Sequence, residues 1–147
     1  MAMPPLGVNS DNPNGLEIMN ILVVDDNVQI ADMLKMLLEA RDFVVTTVQD
    51  GLSALKEVMD LDYDVIICDI EMPKMPGDMF YLATQKLKPE LAKRFVFVTG
   101  HGDNPRVEAF LKQVDGLVIF KPVHTGELIN MVSLVLSRVQ KEQAVLV

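Results

Sequence analysis

The chain has 147 residues and a formal net charge of −8, is half hydrophobic, and contains one cysteine, Cys68. This length fits one domain with a substantial core, and a single cysteine excludes an internal disulfide framework. The acidic excess argues against a nucleic-acid or anionic membrane partner, and without a long apolar run or a secretory signal the reducing cytoplasm is the expected compartment.

The first 18 residues read as a flexible leader. Pro4-Pro5, Gly7 and the run from Asn9 to Gly15 are residues typical of turns, and no hydrophobic periodicity accompanies them. The expected domain covers residues 19–140, and residues 141–147 are expected to form a C-terminal tail.

Five short apolar runs after the leader predict β-strands. Several of them are apolar at successive positions, which is typical of central strands in a parallel sheet covered on both faces. The runs are Ile21–Val24, Val44–Thr47, Val65–Cys68, Phe95–Val98 and Leu117–Phe120.

Amphipathic segments separate these strands and predict five helices. The second segment has Leu52, Leu55 and Met59 at helical spacing, which predicts its buried face, and the third ends before Pro89. Strands that alternate with helices predict a doubly wound α/β sheet with right-handed crossovers. In such sheets ligands bind at the carboxyl ends of the strands, so functional residues are expected there.

Polar residues follow four of the five predicted strands. Because the carboxyl ends of parallel strands meet at one edge, we expect these side chains to converge. They are Asp25 and Asp26 after strand one, Asp69 and Glu71 after strand three, Thr99 and Gly100 at the end of strand four, and Lys121 and Pro122 after strand five.

Carboxylates gathered at one edge repel one another unless a cation lies among them, and hard oxygen ligands favour Mg²⁺. Acidic residues also cap helices, which explains Asp25 or Asp26 alone but not the whole set. A carboxylate beside a divalent cation can attack phosphorus and form an acyl phosphate. Asp69, Lys121 and Thr99 would supply the nucleophile, an ammonium group and a hydroxyl for such a transfer.

Four segments at these strand ends resemble the receiver domain of two-component response regulators. The resemblance covers about residues 19–140, and its specificity comes from all four segments occurring in order. The segments are Val23-Val24-Asp25-Asp26, Asp69-Ile70-Glu71-Met72-Pro73-Lys74-Met75-Pro76-Gly77, Val98-Thr99-Gly100 and Phe120-Lys121-Pro122.

The resemblance implies a flavodoxin-like strand order, 2-1-3-4-5, and a phosphorylation switch rather than an enzyme. The phosphodonor would be a phosphohistidine on a histidine kinase or a histidine phosphotransfer protein, and self-dephosphorylation would be slow. The implied residue roles are Asp69 as phosphoacceptor; Asp25, Asp26, Asp69 and the backbone carbonyl of Glu71 as Mg²⁺ ligands, with Asp26 the more direct of the acidic pair; Lys121 and Thr99 as phosphoryl-stabilising and switch residues; and Gly100 and Pro122 as supporting residues, Pro122 after a cis peptide bond.

Two positions depart from the family pattern. Val118 stands three residues before Lys121, where an aromatic side chain is common and couples to the switch threonine. The response to phosphorylation is therefore expected in the Thr99–Pro105 loop and the helix after it. Pro76 stands before Gly77 where a polar residue is common, and it is expected to stiffen the loop after Asp69.

Two other functions remain open from the residues alone. A haloacid-dehalogenase-type phosphatase also uses an Asp nucleophile with Mg²⁺, but its Asp-x-Asp motif is missing at Asp69. A receiver-like binding module that takes no phosphate is the second. The output partner is open, and a weak likeness to receivers fused to hybrid histidine kinases leaves it open whether the chain is part of a longer protein.

Overall fold

A single five-stranded parallel sheet in the order β2-β1-β3-β4-β5 forms the centre of the molecule. The computed structural model describes residues 18–100, 104–114 and 116–145, the last six by backbone only. The predicted doubly wound sheet and its strand order are confirmed. The strands are β1 (Asn20–Val24), β2 (Val44–Val48), β3 (Val65–Asp69), β4 (Phe95–Thr99) and β5 (Leu117–Phe120).

Burial along the strands follows their place in the sheet. Every residue of β3 and β4 is buried, whereas the edge strands β2 and β5 are only partly so. In the register of the sheet Val24 pairs with Cys68, and Asp69 pairs with Val98. The carboxyl ends of β1, β3 and β4 therefore lie level, and the residues after them share one edge.

Three of the five helices begin with a polar side chain that caps the first turn. Asn27 accepts a hydrogen bond from the Ile30 amide at 3.2 Å, and Asp50 and Asn104 do the same for α2 and α4. The last helix ends at Val145, so the boundary expected at residue 140 falls inside it. The helices are α1 (Val28–Glu39), α2 (Gly51–Asp60), α3 (Gly77–Leu87), α4 (Pro105–Gln113) and α5 (Thr125–Val145), with a 3₁₀ helix at Pro89–Arg94.

The core has two layers, one on each face of the sheet. Helices α1 and α5 cover one face with aliphatic residues, and α2, α3 and α4 cover the other. Among the described residues, no helix is long and apolar enough to span a membrane. The second layer contains an aromatic cluster with ring centroids 5.1 to 5.6 Å apart, formed by Phe80, Tyr81, Phe95, Phe97 and Phe110.

The predicted buried face of α2 is wrong. Leu52 and Met59 are 57% and 55% exposed, whereas Ala54 and Val58 face the core. At 100° per residue, the predicted face and the observed buried face of α2 lie roughly a quarter turn apart. Of the three residues on the predicted face, Leu55 lies nearest the observed face and is half-buried. Side-chain hydrophobicity favours burial of Leu52 and Met59. The direction in which the chain enters α2 instead determines which face of the helix packs against the sheet.

Candidate functional site

Three acidic side chains converge at the carboxyl edge of the sheet, as predicted. Asp25 and Asp26 follow β1, and Asp69 ends β3; one oxygen from each lies within 4.8 Å of the other two. Asp25 and Asp69 are buried and Asp26 is exposed, so the cluster opens to solvent on one side. This arrangement gives a cation a set of oxygen ligands and an entry path.

Asp25 is fixed by its neighbours along the chain and across the sheet. Its Oδ1 accepts a hydrogen bond from the Asn27 amide at 2.9 Å, and its own amide donates to the Val48 carbonyl at 3.1 Å. Burial raises the pKa of Asp25 above its ordinary value, although the Asn27 amide opposes the shift. Sequence reasoning missed Asn27 as a site residue, although a helix-capping Asn directly after an acidic pair was a signal for it.

Asp69 has one partner on each carboxylate oxygen. The Glu71 amide donates to Oδ1 at 3.2 Å, and the Lys121 ammonium donates to Oδ2 at 3.2 Å. Burial is the main cause that raises the pKa of Asp69 to about 6, and repulsion from Asp25 adds to it while Lys121 opposes it. The carboxylate that ends β3 is therefore poorly compensated in the metal-free protein.

Lys121 links the two buried carboxylates. Its Nζ lies 3.2 Å from Asp69 and 3.6 Å from Asp25. Burial by itself lowers the pKa of Lys121, but Asp69 and Asp25 outweigh it and the pKa is raised, so the side chain stays charged. The Lys121 amide donates to the Thr99 carbonyl at 2.8 Å, and the peptide bond to Pro122 is cis, as the resemblance implied.

Thr99 lies buried at the end of β4, on the strand next to Asp69. Its hydroxyl has one long hydrogen bond, 3.4 Å to the Gly100 carbonyl. A surface cavity of about 350 Å³ borders Thr99, Gly100 and the half-exposed Phe120, and a Cβ added at Gly100 would meet no atom of the described residues within 4 Å. The hydroxyl therefore has space beside it, whereas residues 101–103 of the loop expected to respond lie outside the described residues.

The loop after Asp69 and the first turn of α3 each contact the start of α4 through a polar pair that sequence reasoning missed. The Asn104 amide nitrogen donates to a carboxylate oxygen of Glu71 at 3.3 Å. Arg106 pairs with Oδ2 of Asp78, a nearly buried carboxylate whose Oδ1 has no hydrogen-bond partner among the described residues. No local pattern indicates either pair, because the partners lie 33 and 28 residues apart in the chain.

The assembled site has the parts that phosphoryl transfer to a carboxylate requires. Three hard oxygen groups can hold a divalent cation, and one of them, Asp69, also faces an ammonium group. Neither histidine nor cysteine takes part in the described cluster, which favours Mg²⁺ over softer metals.

The family of the chain follows from comparison with known proteins. Residues 21–133 match the family described as the response regulator receiver domain. The match covers most of the chain, and the fold and strand order agree with it. The chain belongs to this family, whose members are phosphorylation switches in two-component signal transduction; the phosphatase and pure binding-module alternatives are not favoured.

Individual relatives support the same assignment. Transcriptional regulatory protein SrrA of Staphylococcus aureus is 32% identical over 121 residues, which is 82% of this chain and 48% of that protein. The chain thus spans about half the length of the curated relatives it matches. A receiver domain protein from Clostridium thermocellum has a TM-score of 0.75 at 28% identity, covering 84% of this chain and 98% of that one.

A receiver domain from a signal transduction histidine kinase of Syntrophus aciditrophicus is similar to the same degree. Its TM-score is 0.74 at 28% identity, with 82% of this chain and 92% of that one covered. Since receivers of both regulators and kinases match, the hybrid-kinase type stays a prediction.

Proposed function

We propose that Asp69 is the phosphoacceptor of this receiver domain. A carboxylate oxygen of Asp69 attacks the phosphorus of a phosphohistidine, the P–N bond breaks, and the imidazole leaves with a proton. The products are an acyl phosphate on Asp69 and a free histidine on a histidine kinase or phosphotransfer protein. The observation that carries this proposal is the convergence of three carboxylates within 4.8 Å of one another, with Lys121 3.2 Å from Asp69.

The acidic cluster fits Mg²⁺. Asp26 and Asp69, together with the backbone carbonyl of Glu71, would hold the ion directly, and Asp25 would complete the negative charge around it. When bound, the ion neutralises charge on the phosphoryl oxygens. The supporting observations are the all-oxygen ligand set and the exposure of Asp26, which lets a hydrated ion keep several waters.

Lys121 and Thr99 would act on the phosphoryl group itself. Lys121 already lies within hydrogen-bond distance of Asp69, so it can follow the charge onto a phosphoryl oxygen. Thr99 ends the neighbouring strand, and its weakly bonded hydroxyl is free to donate to another oxygen. Gly100 leaves space for that movement, and Pro122 fixes the turn after Lys121.

Phosphorylation with a small donor tests the assignment. We expect acetyl phosphate with Mg²⁺ to add one phosphoryl group to the wild-type protein, measured as intact mass, and Asp69→Asn to lose the addition. Asp62→Asn is the matched control, because the Asp62 side chain is 97% exposed and is not part of the proposed site. Labelling of Asp69→Asn at the wild-type level would contradict the proposal, and an unlabelled wild type would favour a binding module that takes no phosphate.

The partners follow from the proposed transfer. A histidine kinase or phosphotransfer protein is the donor, and the cytoplasm is the proposed compartment. Because the matched SrrA proteins are named transcriptional regulatory proteins and the chain covers about half their length, the prediction of no nucleic-acid partner concerns only the acidic surface of these 147 residues.

A further inference from the structure

The segment from the end of β2 to the start of α2 contacts both the loop that carries the acidic pair and the loop after Asp69. At one end the Val48 carbonyl accepts from the Asp25 amide at 3.1 Å. At the other end the Leu52 amide donates to the Lys74 carbonyl, in the loop after Asp69, at 3.3 Å. Residues 48–52 therefore connect the loop that carries the acidic pair with the loop that carries Glu71, although none of them belongs to the proposed site.

Gly51 allows this contact because it has no side chain. A Cβ built on Gly51 would lie 2.1 Å from the Met75 carbonyl oxygen and 3.0 Å from the Met75 carbonyl carbon. Lys74 and Met75 have φ of 49° and 75°, a left-handed pair that turns the carbonyls toward α2. Gly51 is buried at the first position of α2, so the requirement for glycine there is one of space.

The loop of residues 70–76, called the acceptor loop here, is equally tight where its two ends meet. A Cβ on Gly77 would lie 2.2 Å from the Asp69 carbonyl oxygen, and the Gly77 amide donates to the Ile70 carbonyl at 2.8 Å. Residues 70–76 are thus fixed by their own strand and helix at the ends, and by α2 at Lys74 and Met75.

We propose that Gly51 is a positioning residue that sets the distance between the acidic pair and the acceptor loop, and with it the geometry of the Mg²⁺ ligands. The inference rests on the proposed function only for the identity of the ion. A methyl group at position 51 pushes the Met75 carbonyl away from α2, which displaces the loop that includes Glu71 while Asp25 stays bonded to Val48.

The experiment compares Gly51→Ala with Gly126→Ala. Both substitutions add one methyl group to the first turn of a helix, but within the part of the chain that the structure describes a Cβ on Gly126 meets no atom within 4 Å. In Mg²⁺ titrations followed by NMR, Gly51→Ala is expected to bind about tenfold more weakly, the lower end of the effect seen for residues that orient metal ligands. Gly126→Ala is expected to match wild type.

A second readout needs no metal. The Glu71 and Asp25 amides touch neither substituted residue, and Gly51→Ala is expected to shift the Glu71 amide in the metal-free protein. Equal Mg²⁺ affinity together with an unmoved Glu71 amide overturns the inference, as does a lowered melting temperature with unchanged affinity, because that is a purely structural role. If wild type itself does not bind Mg²⁺, the metal proposal fails and the metal-free shift alone decides this inference.

A double variant covers the case in which Gly51→Ala does not fold. Met75 has a φ of 75°, where glycine has more backbone freedom, so Met75→Gly lets Gly51→Ala/Met75→Gly fold with the carbonyl of residue 75 displaced by the methyl group. We expect it to fold and to bind Mg²⁺ more weakly than Met75→Gly alone. Equal affinity of these two proteins overturns the inference.

Discussion

At the residue scale, Lys121 is the one ammonium group among the described residues that pairs with the buried carboxylates of the site. Asp25 and Asp69 are both buried, and burial raises the pKa of each above its ordinary value. Lys121 contacts both of them, but one positive charge cannot compensate two buried carboxylates and the nearby Asp26. The metal-free domain therefore holds unfavourable electrostatic energy that a cation would relieve.

Because of this electrostatic energy, the effect of Asp69→Asn on the free energy of unfolding without Mg²⁺ should depend on pH. The folded-state pKa of Asp69 is about 6 against an ordinary 3.8, so the folded protein holds this proton more tightly than the unfolded chain and loses stability as pH rises between the two values. We expect Asp69→Asn to be more stable than wild type by about 1–2 kcal/mol near pH 7.5, less than the roughly 3 kcal/mol of a two-unit shift because Lys121 loses its partner.

Urea unfolding in chelator measures this difference. Near pH 4 the wild-type carboxyl is largely protonated in the folded state, so the gain should become small, about a few tenths of a kcal/mol. Asp62→Asn should show no such trend, since its side chain is 97% exposed. A gain in Asp69→Asn that is the same at both pH values would contradict the assignment of this pKa.

Lys121 should affect the phosphoryl response more than metal binding. Its removal leaves one charge-assisted contact to a phosphoryl oxygen unmade, which is about 1.5–3 kcal/mol for a bond to a charged group. We expect Lys121→Ala to need about tenfold or more beryllofluoride, a phosphoryl mimic, for half-maximal NMR shift changes, while Mg²⁺ affinity is not reduced. Lys35→Ala is the control, because the Lys35 side chain on α1 is 42% exposed. A wild-type beryllofluoride midpoint in Lys121→Ala would make the lysine only structural.

At the scale of elements, one hydrogen bond and one ion pair connect the start of α4 with the loop after Asp69 and the first turn of α3. Asn104 caps α4 and also binds Glu71, and Arg106 in its first turn binds Asp78 in the first turn of α3. Movement of the loop after Asp69 therefore reaches α4 directly. Val118 is half-buried and has no aromatic ring that could couple to Thr99. These two contacts therefore connect the site with α4 in addition to the Thr99–Pro105 loop.

Arg106→Ala tests the stronger of the two contacts. The Asp78 side chain is 12% exposed, and its Oδ1 is already without a hydrogen-bond partner in the described structure, so the substitution leaves a nearly buried carboxylate unpaired. Because Arg106 is 48% exposed, we expect a loss of about 1–3 kcal/mol in urea unfolding, below the value for a fully buried pair.

The comparison variant is Lys35→Ala, which removes an exposed pair with Glu39 at 3.6 Å and should cost less than about 0.5 kcal/mol. Faster amide exchange is also expected in α4 of Arg106→Ala. If both variants lose the same small amount and α4 exchange is unchanged, Asp78 and Arg106 do not couple the two helices.

The two core layers differ in chemistry at the scale of the whole molecule. The layer under α1 and α5 is mainly aliphatic, with Phe43 as a buried aromatic residue, whereas the layer under α2, α3 and α4 contains the aromatic cluster among its aliphatic residues. Phe97 lies in the middle of that cluster, stacked on Phe95 at 5.5 Å and edge-on to Phe110 at 5.2 Å. Phe97 and Phe80 are the two fully buried rings of this cluster, so the packing of the layer that supports α3 and α4 depends strongly on Phe97.

Phe97→Ala should reduce the free energy of unfolding by about 3–5 kcal/mol, because it removes a buried ring and leaves a cavity that rigid neighbours fill only in part. Phe120→Ala on the edge strand β5, where the side chain is 48% exposed, should reduce it by less than about 1 kcal/mol. Chemical denaturation measures both variants. Similar losses of unfolding free energy in the two variants would show that the aromatic cluster does not stabilise this layer more than an exposed edge residue does.

The sequence by itself determined the strands and the edge at which the site forms. Runs such as Val65–Cys68 have to be buried on both faces, and parallel strands bring their carboxyl ends together, so Asp25, Asp69 and Lys121 were bound to meet. These are local patterns combined with a general rule of chain connection, and neither depends on detailed packing.

Only the tertiary structure decided how the helices and loops fit around that edge. The face of α2, the Asp78–Arg106 pair and the need for glycine at position 51 all result from contacts between segments that are distant in the chain. The hydrophobicity of the α2 side chains did not indicate which face of the helix packs against the sheet. A carbonyl that occupies the space of a missing Cβ has no sequence signature beyond the glycine itself. The residues that carry the chemistry follow from local pattern, whereas the residues that hold them at the right distance follow from packing.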